Sequence, residues 1–156
     1  MTLGWSNVRP RACVLMVLSV SIHVIANAAP DAQISRARHS VDCVAALRTD
    51  TDSLAKEVKA GRQELKSVLL AHLEEGAAFI GDSYLGGSRD EKQSKTMLEA
   101  ATEAQKSLPP QELAGLQLSC SKEGGELLAA TNAINRVVIK RIAKNRMERL
   151  LEPAGS

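Results

Sequence analysis

Aromatic residues are scarce: one Trp, one Tyr and one Phe in 156 residues. A stacking platform for single-stranded nucleic acid needs several such rings, so that class is disfavoured. No apolar run approaches the roughly 20 residues of a membrane-spanning helix, which excludes a multi-pass protein. Sustained period-2 alternation is missing and β-branched residues are scattered, so strand signals are weak. Neither sign of charge dominates, with 20 Lys and Arg against 18 Asp and Glu. Cysteine is limited to three residues, with no C-x-x-C and no His–Cys spacing of ligand type, so neither a metal nor a cofactor is expected. What is present, 44% hydrophobic and 24% charged residues, is ordinary for a globular chain and speaks against wholesale disorder.

The first 28 residues carry an export signal in three parts. Met1 to Ala12 holds Arg9 and Arg11 and no acid; Cys13 to Ile25 is mainly apolar; Ala26-Asn27-Ala28 is a small-x-small cleavage pattern. That order defines a secretory signal peptide, with cleavage before Ala29. Residues 29–156 would then form a single mature domain of 128 residues, periplasmic or secreted. Cleavage removes two arginines and leaves 18 basic against 18 acidic residues, so the mature chain is formally neutral. A neutral chain gives no general argument for nucleic acid as a partner.

Cleavage also leaves only Cys43 and Cys120. In an oxidising compartment an even pair is expected to form an intramolecular disulfide. A loop of this length would be stabilised by at most about 4.5 kcal/mol in the chain-entropy model.

The mature chain is rich in Ala, Leu, Glu, Lys, Gln and Arg, the strong helix formers. The expected fold is all-α, an antiparallel bundle of about four helices with a long C-terminal helix and one disulfide. The first helix is expected from about Asp31 to Leu47, ended by the capping-rich Thr49-Asp50-Thr51-Asp52. The second runs from about Ser53 to Ile80, with Gly61 inside its apolar stripe. Gly81 to Gly87 reads as a glycine-rich loop, and Ser88-Arg89-Asp90-Glu91 as a capping box opening the third helix. Pro109-Pro110 ends that helix and starts the fourth, which continues toward Leu151 unless Gly124-Gly125 kinks it or admits a neighbouring helix.

Candidate chemistry is thin. Gly81-Asp82-Ser83 resembles the Gly-Asp-Ser block of GDSL-type esterases. However, the chain has no Asp-x-x-His, and the mature histidines His39 and His72 both precede Ser83. Asp82, Ser83 and Tyr84 are instead read as a possible partner loop, or as a cap on the bundle end. The basic run Arg136, Lys140, Arg141, Lys144, Arg146 and Arg149 flanks Ile134, Val138 and Ile142, making a basic amphipathic helix end suited to an anionic surface. Cations there also complement the helix dipole.

These features predict a small exported protein that works by binding rather than catalysis, its partner an envelope protein or an anionic surface. One alternative is a carrier of a small apolar ligand within the bundle. The other is a helical enzyme whose site gathers separated residues such as Arg62, His72, Glu75 and Arg136.

Overall fold

The computed structural model describes residues 30–85 and 90–152. The expected signal segment and Ser88 lie outside them. Among the described residues the chain forms five α-helices and no strand: α1 (Pro30–Lys59), α2 (Lys66–Leu85), α3 (Glu91–Gln105), α4 (Pro110–Ala130) and α5 (Ala133–Leu151). The fold is all-α, as the composition predicts. Several helix ends fall elsewhere than expected, each for a physical reason.

The Thr49–Asp52 stretch does not end α1. The Thr49 hydroxyl donates to the Ala45 carbonyl at 3.2 Å and the Thr51 hydroxyl to the Arg48 carbonyl at 2.9 Å. The two hydroxyls are spent on the preceding turn, so neither competes for the backbone amides that a cap would take. The helix instead ends at Gly61, which adopts φ +109°. The Gly61 amide donates to the Val58 carbonyl and the Arg62 amide to the Glu57 carbonyl, both at 3.1 Å. This is a Schellman ending, and the left-handed residue it requires is the glycine. A short 3₁₀ turn, Gln63–Leu65, then leads into α2.

Gly81 does not interrupt α2, which runs through Asp82-Ser83-Tyr84 to Leu85. One glycine costs a helix interior about 1 kcal/mol relative to alanine, which tertiary packing outweighs. The N-cap of α3 is Asp90, whose carboxylate accepts the Gln93 amide at 2.9 Å. Pro110 opens α4 as expected. The long C-terminal helix is divided at Thr131-Asn132 rather than at Gly124-Gly125. Asn132 caps α5 by accepting the Asn135 amide at 2.9 Å. From α5, the Arg136 guanidinium donates back to the carbonyls of Ala129 and Thr131 at 2.8 and 2.9 Å. It thus satisfies carbonyls that the end of α4 leaves open.

α1 and α2 form an antiparallel hairpin at the centre. α3 packs on α1, α4 packs on both, and α5 packs mainly on α2. One apolar cluster joins Cys43, Ala46, Leu47, Phe79 and Cys120; a second joins Ala55, Val58 and Leu69 near the hairpin turn. The Cys43–Cys120 disulfide ties α1 to α4. Two amides add polar fastenings: Gln105 Nε2 donates to the Asp42 carbonyl at 2.8 Å and Gln117 Nε2 to the Ala46 carbonyl at 3.4 Å.

Candidate functional site

α3 leans on α1 and α5 on α2, and a cleft of about 390 Å³ opens between them. Its walls are Val44 and Leu47 of α1, Leu73 and Ile80 of α2, Leu98 of α3 and Ile142 of α5. The small residues Gly76, Ala77 and Ala143 also line it and leave the space unfilled. This size lies within the range of small-molecule pockets, about 300–1,000 Å³.

The polar groups at the cleft are mostly cationic. Arg48 of α1 and Arg146 and Arg149 of α5 line it. None of the three forms an ion pair with an acid among the described residues. The other polar residues are Thr51, whose hydroxyl is spent on the Arg48 carbonyl, and His72, whose Nδ1 lies 2.5 Å from Asp50 Oδ2. Among the described residues that nitrogen finds no well-aligned hydrogen bond. The Asp50 carboxylate holds the His72 imidazole above its ordinary pKa, against the opposing effect of partial burial.

One turn further along α2, Glu75 faces α4. Its pKa is raised by burial, while the Ser121 hydroxyl and the His72 charge oppose the shift. Glu75 Oε2 is buried without a hydrogen-bond partner among the described residues. Of the residues an enzymatic site would have to gather, His72 and Glu75 lie one turn apart on α2 and feel each other's charge, while Arg62 and Arg136 are engaged elsewhere. Arg62 pairs with Glu57 at 2.5 Å and Glu64 at 3.1 Å beside the hairpin turn. Arg136 caps α4, His72 meets Asp50, and Glu75 packs against Gly124.

The basic run is partitioned by the fold. Arg136 is absorbed in the α4–α5 junction, Arg146 and Arg149 turn to the cleft, and Lys140, Arg141 and Lys144 are exposed. Lys144 lies 4.0 Å from Glu148, a solvated pair of little energetic weight. Ile134, Val137, Val138 and Ile142 expose 51–79% of their surface on the same helix. Asp82, Ser83 and Tyr84 form the last turn of α2 rather than a loop; Asp82 and Ser83 are half-buried and Tyr84 is exposed. Among the described residues no helix is long and apolar enough to cross a membrane.

A second cluster surrounds the disulfide. His39 Nε2 lies 2.8 Å from Glu123 Oε2 of α4 and 3.9 Å from Cys43 Sγ. The His39 ring meets Phe79 edge-on, with centroids 6.4 Å apart. Neither Arg48 nor Glu123 is marked by the sequence pattern. Each gains its place from a partner helix far away in the chain.

No protein-family model, curated protein or solved structure matches the chain.

Proposed function

We propose that the chain is an exported, non-enzymatic binding protein, periplasmic or secreted, whose cleft takes a small amphiphile with an apolar body and an acidic head. The observation that carries this reading is an apolar cleft lined by three arginines that have no acidic partner among the described residues. An apolar body would cover the walls, and a carboxylate or phosphate head would receive charge-assisted hydrogen bonds from guanidinium groups. The disulfide supports an oxidising compartment, in keeping with the three-part N-terminal segment.

Displacement of a fluorescent fatty acid tests the reading. A long-chain carboxylate should displace it at least about tenfold better than the alcohol of equal length, because a charged hydrogen bond contributes about 1.5–3 kcal/mol. Replacing Arg48, Arg146 and Arg149 together by glutamine should erase that preference while leaving helicity intact. Equal binding of acid and alcohol to the unaltered protein would refute the acidic head.

A second reading rests on α5. Its exposed Ile134, Val137 and Val138 beside Lys140, Arg141 and Lys144 make a basic amphipathic face suited to an anionic surface. Sedimentation with anionic vesicles, lost at high salt and in a Lys140→Gln, Arg141→Gln, Lys144→Gln variant, is the expected behaviour. Binding that persists in this variant or at high salt removes the reading.

A further inference from the structure

We propose that the Cys43–Cys120 bridge is exchangeable for a zinc ion: once reduced, the two cysteines join His39 and Glu123 in a four-ligand site linking α1 to α4. His39 precedes Cys43 by four residues on α1, and Glu123 follows Cys120 by three on α4. Each helix therefore presents two donors from adjacent turns of one face. The helices approach closely here, with the Cα atoms of Cys43 and Cys120 5.2 Å apart.

Three of the four donors already converge, and the fourth, Cys120 Sγ, is bonded to Cys43 Sγ. Cys43 Sγ, His39 Nε2 and a Glu123 carboxylate oxygen all lie within 4.8 Å of one another. Zinc takes thiolate at about 2.3 Å and imidazole or carboxylate at about 2.0–2.2 Å, so neighbouring ligands in a tetrahedron stand about 3.3–3.8 Å apart. The His39–Glu123 contact at 2.8 Å must open slightly, and the Cys43–His39 contact at 3.9 Å is nearly right. Reduction frees the sulfurs to separate by side-chain rotation.

Polarity is graded across the cluster. The sulfurs are buried, with Cys43 0% and Cys120 1% exposed. The His39 and Glu123 side chains are 51% and 42% exposed, so the ion has a path from solvent. Phe79 meets the His39 ring edge-on beneath the cluster's open side.

The chemistry balances. A dithiol reductant attacks the S–S bond, leaves as its own disulfide, and delivers two electrons and two protons to the cysteine sulfurs. Binding of Zn²⁺ then expels both thiol protons to solvent, the Glu123 carboxylate adds as it stands, and the proton on His39 Nε2 that meets Glu123 passes to Nδ1 or to solvent as the metal takes its place. The helices stay linked at the same place in both states, by a covalent bond in one and a metal in the other. This site shares no residue with the cleft and does not depend on its reading.

Cobalt(II) titration of the purified protein is the test. The disulfide form should give no thiolate-to-cobalt absorption. After phosphine reduction under nitrogen, one cobalt per chain should bind with a tetrahedral visible spectrum, and zinc should displace it. His39→Ala and Glu123→Ala should each weaken binding at least about tenfold, as loss of outer-shell partners alone often does. Circular dichroism follows the same samples. If the metal-free reduced chain loses helicity, zinc should restore it. Equal affinity in the reduced protein and both variants, an octahedral spectrum, or a reduced chain that stays unfolded in zinc would each overturn the proposal.

Discussion

Gly124 of α4 rests against Glu75 of α2 so closely that a Cβ at position 124 would come within 2.7 Å of Glu75 Cβ and 3.1 Å of its backbone oxygen. The obstacle is backbone and Cβ, which cannot swing aside. Gly124→Ala should therefore destabilise the protein by about 1–3 kcal/mol, the usual cost of forcing extra volume into a packed contact. Gly125 has nothing within 4 Å of its built Cβ. Gly125→Ala should instead stabilise by about 0.5–1 kcal/mol, because alanine is the better helix residue. Urea melts of the pair check both signs. Equal effects would show that the close approach does not govern this position.

This contact also marks how far the sequence could be read. Composition and periodicity disclose helices, and a residual pair of cysteines discloses the bridge, because both follow from residue type and count. Helix ends are less legible, since the same side chain can serve opposite purposes. Thr49 and Thr51 are capping residues by type, yet their hydroxyls bond the preceding turn. Gly61 falls within an apolar stripe, yet its positive φ closes α1. The cleft was least legible, because it is a gap between helices rather than a pattern within one. Arg48 belongs to no basic run, and His72 and His39 acquire their acids from other helices: Asp50 on α1 and Glu123 on α4.

The α4–α5 junction should be sensitive to its polar caps. Asn132 holds the Asn135 amide, and Arg136 covers two carbonyls at the end of α4. Asn132→Ala should cost about 1 kcal/mol, a typical loss for an N-cap. Arg136→Ala should raise hydrogen exchange at both helix ends around the junction, whereas Arg141→Ala, on the exposed face, should not. A junction as protected in Arg136→Ala as in the parent would refute the capping role.

His72 gives stability a defined pH dependence. The Asp50 carboxylate raises its folded pKa above the ordinary 6.5. The folded chain therefore holds this proton more tightly than the unfolded chain. The resulting stabilisation is fully present below about pH 6.5 and is lost as pH rises through the folded value. Its size should stay under about 1 kcal/mol, because the pair is partly wet. His72→Gln should flatten the Tm-against-pH curve in this window. An unchanged slope would show that the Asp50 contact carries no net energy.

Glu75 works in the same direction by a different cause. Burial lifts its folded pKa above the ordinary 4.5, and the opposing effects of Ser121 and His72 only partly cancel it. The folded chain again binds the proton better than the unfolded one, so stability declines as pH rises from about 4.5 through the folded value. At neutral pH the ionised carboxylate is a burden, with Oε2 buried and unpartnered among the described residues. Glu75→Gln keeps the shape, removes the charge and leaves an oxygen for Ser121. It should raise Tm by a few degrees at pH 7, and the gain should vanish below pH 4, where the native carboxyl is already neutral. A variant less stable at pH 7 would mean that the carboxylate's attraction to protonated His72 outweighs its desolvation. The balance at this α2–α4 contact would then favour the ion over the neutral acid.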